Sequence, residues 1–391
     1  MDAGPWLPVP PRGYGGLENV VATLTTALRA RGHTVVLATV GESDLPADGS
    51  VHAYATGQFA RLARPYPEVV GIALAHEQVV AETLERHAAA GDPFDVVHTH
   101  VEVVGPAVLG ALGNRAPPVL HTLHWDLRRN ADFYDSFDGR GRVFFAGVSA
   151  SLVVRGPERL RRQTLGAVPL AVPVSPGPPL PADRRAEHVV AVGRICRLKG
   201  TDVAVRAARA AGLPIVLAGP VAGCSDRECL DREMTDPSSP LHANADVRYF
   251  LEEVAPLLDG ERARWIGSVS GPAKEDLVGS ARAAIFPVQW EEPGGTAVCE
   301  ALMAGTPVVA LARGCLPTLV DDGVTGLLAE DEAGLVEALR RIGDIDPATC
   351  RADAVRRFAP DVMAGAYERL YGEVVDREGS RGLQAAVATA E

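Results

Sequence analysis

The chain has 391 residues and a formal net charge of −12. That length suggests two to three domains at roughly 100–200 residues each, and the acidic balance argues against a general nucleic-acid binder, which needs a basic face to displace counterions. With 47% apolar and 23% charged residues the chain is an ordinary globular sequence and not a disordered one.

In chain order, a helix is expected over 17–31, a strand over 35–40, a helix over 77–90 and a strand over 95–98. A short helix follows over 105–113, then strands over 118–123 and 144–148. Six prolines fall between positions 169 and 181, a density that no central strand or helix interior tolerates, and they read as a stiff connection. Beyond it strands are expected over 188–192, 214–218, 264–266, 283–287 and 307–310, with helices over 202–211, 275–281, 296–304 and 333–342. The stretch 222–262 reads as an insertion with one helical piece, 247–258. Residues 361–375 read as an amphipathic helix and 376–391 as a frayed tail. Apolar strands alternating with helices imply parallel sheets covered on both faces. The expected division is a domain over 1–170, a linker over 171–184, a second domain over 185–360 and a terminal helix and tail over 361–391. Ligands of such domains bind beyond the carboxyl ends of the strands, which makes the cleft between the domains the default site.

No helix-length run of about 18 apolar residues occurs, so no membrane span is expected. Residues 1–11 lack the basic-then-apolar order of a secretory signal, which makes the cytoplasm the default compartment. The six cysteines form no CxxC pair and read as small buried hydrophobes without a metal or disulfide role. Arg155, Arg159, Arg161 and Arg162 read as a solvated helix face. Among the basic residues only Lys199 and Lys274 are lysines; the rest are arginines.

Two stretches carry chemistry. In the first, Glu291-Glu292-Pro293-Gly294-Gly295-Thr296, a strand end passes through a glycine turn into a helix. Unpaired N–H groups and the helix dipole make such a turn a place for a phosphate. Glu292, expected at the mouth, and Glu300, about a turn deeper, suit the vicinal hydroxyls of a ribose or a hexose. In the second, Gly193 to Gly200, Arg194 and Lys199 offer a planar fork and a point charge, which together make a diphosphate clamp. In the N-terminal half, His98 and His100 alternate on one strand and are expected to face opposite sides. His121 and His124 flank the next strand end, and Trp125 follows in a loop able to line an acceptor pocket.

The pattern G-R-x(4)-K-G followed by E-P-x-G-x(4)-E-A resembles the retaining, two-domain GT-B glycosyltransferases of family 4. Further pieces match in order: Gly13-Tyr14-Gly15-Gly16-Leu17-Glu18, Asp95 to His100, Thr122-Leu123-His124, Val148-Ser149, Trp265-Ile266-Gly267 and Gly323 to Leu328. The resemblance implies two Rossmann-like parallel-sheet domains, the N-terminal one for the acceptor and the C-terminal one for a nucleotide-sugar. It implies that Arg194 and Lys199 hold the diphosphate and Glu300 the ribose. Glu292 then meets the donor hexose together with the Gly294, Gly295 and Thr296 backbone, Gly16 approaches the phosphates, and His124 faces the sugar. Gly15, His100 and Trp125 are the acceptor candidates. The implied reaction moves a hexosyl unit from an NDP-sugar, UDP first, to a hydroxyl of a small-molecule acceptor such as a bacterial natural product. It needs no metal and no other cofactor. The alternatives are a degenerate nucleotide-sugar-binding protein, or an epimerase or hydrolase of the same architecture.

Two departures stand out. The family's opening apolar strand is expected to be missing before Met1-Asp2-Ala3-Gly4, with a start lying upstream favoured over a lost central strand. The family's frequent Pro-Phe-Gly is Pro293-Gly294-Gly295 here, which puts the donor preference in doubt.

Overall fold

The computed structural model describes residues 1–13 and 15–388; Tyr14 of the N-terminal glycine motif and residues 389–391 of the tail lie outside the described residues. The chain divides into two compact units, one formed by Met1–Ala171 with Pro360–Glu391 and the other by Val172–Ala359.

The first unit carries six parallel strands: β1 (Val36–Thr39), β2 (Gly49–His52), β3 (Val97–Thr99), β4 (Val119–Leu123), β5 (Val143–Gly147) and β6 (Thr164–Ala167). β1 pairs with β2, and β3 to β6 form a four-stranded sheet in sequence order. The gap between β1 and β3 is not open along its whole length. Asp2 bridges in parallel to both Ala38 and Thr99. Its N–H donates to His98 O at 2.8 Å, and His100 N–H returns to Asp2 O at 2.9 Å. Residues 1–3 therefore stand in the slot where the sequence pattern implied a missing strand. Asp2 is buried there, with Oδ1 2.8 Å from His76 Nε2 and Oδ2 accepting from Thr99 Oγ1 at 2.5 Å.

The helix Pro360–Ala388 belongs to this first unit although it follows the second in sequence. Met363, Ala364, Tyr367 and Val374 enter the apolar core built on β3 to β5. Tyr367 OH and Tyr371 OH end on a polar network: Thr122 Oγ1 lies 2.9 Å from Tyr367 OH, and His98 Nδ1 lies 2.7 Å from Tyr371 OH. Arg31 ties the outer face of the helix down through Glu368 and Asp361. Tyr367→Ala is expected to destabilise the first unit by about 3–5 kcal/mol, the range for emptying a buried aromatic site. Urea denaturation followed by Trp125 environment or by proteolysis reads this; an unchanged midpoint contradicts the packing described.

The second unit holds β7 (Val189–Val192), β8 (Ile215–Ala218), β9 (Ala263–Trp265), β10 (Ala283–Phe286), β11 (Val308–Leu311) and β12 (Gly326–Ala329). All pairs are parallel, in the order β12-β11-β10-β7-β8-β9. The order runs outward in both directions from the neighbours β7 and β10, so the topological switch point lies between them. Open α/β sheets bind ligands outside the carboxyl ends of the strands at that point. The two loops leaving it are Gly193 to Gly200 and Pro287 to Gly295. No strand or α-helix lies between β6 and β7, and a single 3-10 turn, Ala182–Arg184, follows the proline-rich stretch.

The stretch 222–262 holds more helix than its sequence suggested. Besides the turns over 245–257, a helix forms over Arg227–Thr235, capped by Asp226, whose Oδ1 accepts from Cys229 N–H at 2.7 Å. The terminal helix likewise runs on past residue 375, where fraying was expected, to Ala388. Among the described residues no helix is long and apolar enough to cross a membrane.

Candidate active site

Backbone geometry at the switch point explains why its loops need glycine. Gly200 has φ +66°, and a Cβ there would lie 2.0 Å from Pro287 O. Only glycine lets the loop after β7 lie directly on the end of β10. The contact is sealed by Gln289 N–H donating to Leu198 O at 2.8 Å. Gly314 (φ +61°) does the same from the other side, since a Cβ would meet the Glu292 backbone at 2.2–2.3 Å.

These approaches set the side chains. Lys199 Nζ lies 2.6 Å from Glu292 Oε2, and the same oxygen accepts from Trp290 Nε1–H at 2.8 Å. Lys199 Nζ also lies 5.5 Å from the centre of the Trp290 ring. The helix Thr296–Met303 starts from Gly295 in the left-handed conformation, without a side-chain cap. A Cβ on Gly295 would meet Leu319 Cδ1 at 2.6 Å and Cys315 Sγ at 3.1 Å. One turn into the helix, Glu300 Oε1 pairs with Lys274 Nζ at 2.6 Å. Each of the chain's two lysines thus pairs with one of the two glutamates of the motif.

The order of depth is the reverse of the one inferred from spacing. The Glu292 side chain is 11% exposed and that of Glu300 is 29% exposed. Glu292 is pinned by Cys315 N–H donating to its carbonyl at 2.8 Å and is covered by Trp290, whereas Glu300 leans off its helix toward Lys274.

The segment 222–262 returns to the first of these loops. Arg194 lies 4.0 Å from Asp246. Arg197 pairs with Glu253 and lies 5.2 Å from the centre of the Tyr249 ring. Tyr249 OH takes the Asp202 N–H at 2.9 Å and so closes the start of the helix Thr201–Ala210.

In the first unit the sequence candidates gather at the ends of β3 and β4 and at the start of the helix Gly16–Ala30. Gly15 is the residue before that helix, and no side chain caps it. A Cβ on Gly15 would lie 2.5 Å from Pro11 Cβ. Glu18 is buried in the first turn, and burial pushes its carboxyl up to about 7. His98 and His100 do not face opposite sides, as was expected. Their ring centres are 4.3 Å apart, because residues two apart on a strand share a face. His100 Nδ1 lies 2.8 Å from His124 Nε2, and His100 Nε2 lies 3.2 Å from Met1 Sδ. A thioether accepts but cannot donate. His100 therefore carries its proton on Nε2 and accepts His124 Nε2–H at Nδ1, which leaves a lone pair on His124 Nδ1 that takes no hydrogen bond among the described residues. Trp125, next in the loop, is 42% exposed.

Burial keeps these imidazoles neutral. His98 and His100 are held well below the usual histidine range, His121 falls to about 4 and His124 to about 3. The unfolded chain takes up protons below about 6.5, so His121 contributes stability above that pH and loses it as pH falls toward 4, by up to about 1.4 kcal/mol per pH unit. Glu18 acts the other way, because its folded form takes a proton first as pH falls through about 7. The ring resonances of these four histidines are expected to stay fixed from pH 8 to 5 in the folded protein. A titration with a midpoint near 6.5 contradicts the buried cluster.

Of the sequence candidates in the second unit, Arg194 and Lys199 lie on the loop after β7, and Glu292, Gly294, Gly295, Thr296 and Glu300 lie on the loop after β10 and the helix it enters; Lys199 meets Glu292, while Arg194 lies by Asp246 and Glu300 by Lys274. Sequence reasoning assigned no role to Trp290, Lys274, Asp246 or Glu18. The scarcity of lysine was the one signal pointing to Lys274. Among the described residues no three His, Cys, Asp or Glu side chains converge on a metal position.

Residues 14–176 match the family described as Glycosyltransferase Family 4, and residues 179–347 match Glycosyl transferases group 1. The chain is 32% identical over 322 residues to a D-inositol 3-phosphate glycosyltransferase of Catenulispora acidiphila, covering 74% of this chain and 72% of that one. The chain belongs to the family 4 glycosyltransferases. It is also 27% identical over 384 residues to the phosphatidyl-myo-inositol mannosyltransferase of Mycobacterium leprae, covering 94% and 95% of the two chains. The crystal structure of Anabaena HepE in complex with UDP-glucose superposes with a TM-score of 0.62 at 15% identity, over 92% of this chain and 96% of that one. The family 4 glycosyltransferase described here has the two parallel-sheet α/β units of the GT-B fold.

Proposed function

We propose that this glycosyltransferase moves a hexosyl unit, with retention and without a metal, from a nucleoside-diphosphate sugar to a hydroxyl of a small-molecule acceptor. UDP is the first candidate base. The second unit binds the donor and the first unit the acceptor. The observation that carries this reading is the pairing of Lys199 with Glu292 and Lys274 with Glu300 at the switch point of β7 and β10.

In this reading Arg194 and Lys199 leave their carboxylate partners for the diphosphate. Glu292 and Glu300 are then open to hydroxyls, the first to the hexose and the second to the ribose. Cleavage of the bond between the anomeric carbon and the phosphate oxygen places negative charge on the diphosphate. Fixed cations and the N–H groups at Gly294, Gly295 and Thr296 stabilise that charge most in the transition state. The acceptor oxygen bonds to the same face of the carbon, and its proton passes to the departing phosphate oxygen. His124, an acceptor through Nδ1, takes a hydrogen bond from a sugar hydroxyl and orients the sugar; Gly16 leaves room for the phosphates. Gly15, His100 and Trp125 shape the acceptor side.

The acceptor class is supported by the relatives' names, which carry phosphatidyl-myo-inositol and D-inositol 3-phosphate. Support for UDP comes from the UDP-glucose held by the Anabaena structure. Incubating the chain with the glucose and mannose conjugates of UDP and GDP, with myo-inositol and its phosphate, in EDTA, tests the reading. An α-linked product from an α-linked donor is expected. Turnover to free sugar alone, or none with every donor, contradicts it.

A further inference from the structure

Glu292 is held by two donors on one oxygen, and the two differ in whether they can stay once a ligand arrives. Lys199 Nζ and Trp290 Nε1 lie 2.6 Å and 2.8 Å from Glu292 Oε2. Among the described residues Oε1 takes no hydrogen bond. The Lys199 ammonium is on a flexible four-carbon stem, and the side chain is 34% exposed. The indole is planar, sits two residues from Glu292 on the same loop, and lies under the ammonium at 5.5 Å. The loop's backbone is itself fixed by Gly314 and by Cys315 N–H on Glu292 O.

We propose that Trp290 is the positioning residue of the donor site: its N–H holds the Glu292 carboxylate in place when Lys199 moves to the diphosphate. The inference rests on the donor-site reading above. Without the indole N–H, a carboxylate that loses its lysine is free to rotate or to follow the cation. Its Oε1 then no longer presents a fixed acceptor to a hexose hydroxyl. Trp290 acts through Glu292, so the loss of its N–H alone bears on the sugar and not on the nucleoside diphosphate. Its ring face also steadies Lys199, a cation–π contact that a phenyl ring keeps in part.

Trp290→Phe keeps the ring and removes the N–H. The probe is whichever of UDP, GDP and TDP the unaltered chain binds, with the glucose conjugate of that nucleotide. Calorimetry and acceptor-free hydrolysis are followed on the unaltered chain, Trp290→Phe, Glu292→Gln and the double variant. A lost hydrogen bond to a charged group corresponds to about a 10-fold fall in kcat/KM for the sugar nucleotide. Nucleoside diphosphate affinity is expected to stay within about 2-fold, and the double variant is expected to fall little below Glu292→Gln alone, because the two act as a unit. Equal losses for nucleotide and sugar nucleotide, additive effects, or an unaffected Trp290→Phe beside a crippled Glu292→Gln overturn the inference while leaving the donor site standing. An unaltered chain that binds none of the three nucleotides overturns the donor-site reading and this inference with it.

Discussion

Lys199→Ala is expected to lower kcat/KM for the sugar nucleotide by about 10–100-fold. A charge-assisted hydrogen bond contributes about 1.5–3 kcal/mol, and each 1.4 kcal/mol is a factor of about ten. The structure adds a second cost. Lys199 is the cation on Glu292, whose side chain is only 11% exposed, so its loss leaves an enclosed carboxylate with the Trp290 N–H as its remaining partner on Oε2. The substitution therefore disturbs both the diphosphate clamp and the group next to the sugar. Lys199→Arg is not a conservative control. Its planar fork cannot occupy the compact position of an ammonium between a carboxylate and an indole face. Steady-state kinetics with the preferred sugar nucleotide measures the effect; a kcat/KM within 2-fold of the unaltered chain removes Lys199 from the mechanism.

Glu300→Ala is expected to weaken nucleoside diphosphate binding by about 100-fold, the sum of two hydroxyl hydrogen bonds to a charged acceptor at the low end of their range. Glu300 holds Lys274 at 2.6 Å, with both side chains 29% exposed. That pair is open enough to exchange its partner for hydroxyls at little cost. A nucleotide lacking the 2′ and 3′ hydroxyls separates this role from a general electrostatic one. The unaltered chain should discriminate strongly against the dideoxy compound, and Glu300→Ala should bind both forms equally weakly. Retained discrimination in the variant contradicts the assignment.

Which parts of the fold were legible in the sequence follows from burial. β5, β8, β10 and β11 are buried along their whole length and appear as continuous apolar runs, and β4, equally buried, breaks its run only at His121 and Thr122. β2, with sequence GSVH, and β6, with sequence TLGA, are half-exposed and glycine-bearing, and neither leaves such a run. The helix Tyr66–Ala89 was read as starting eleven residues late. Pro67 looks like a break, although proline is well tolerated in the first turn. At the start of the first sheet residues 1–3 carry no apolar run and form no strand, and the bridges of Asp2 to Ala38 and Thr99 link β1 to β3 through backbone contacts that no sequence pattern marks.

At the site, the loops and their glycines were legible because strand end, turn and helix start follow one another along the chain. The pairings were not. Lys274 reaches Glu300 across 26 positions, and Lys199 reaches Glu292 across 93. Trp290 is close in sequence, but an aromatic before an acid has no periodicity that marks it as a hydrogen-bond donor to that acid. The shared face of His98 and His100 was available from strand geometry alone.

The most direct test of the central claim is a calorimetric titration of the unaltered chain with UDP, GDP and TDP, beside Lys199→Ala and Glu300→Ala. It addresses the switch point of the second unit without needing the acceptor. Saturable binding of one nucleotide, weakened by both substitutions, is the result expected. A folded chain that binds none of the three, or binds one with an affinity that neither substitution changes, contradicts the claim that these loops form the donor site.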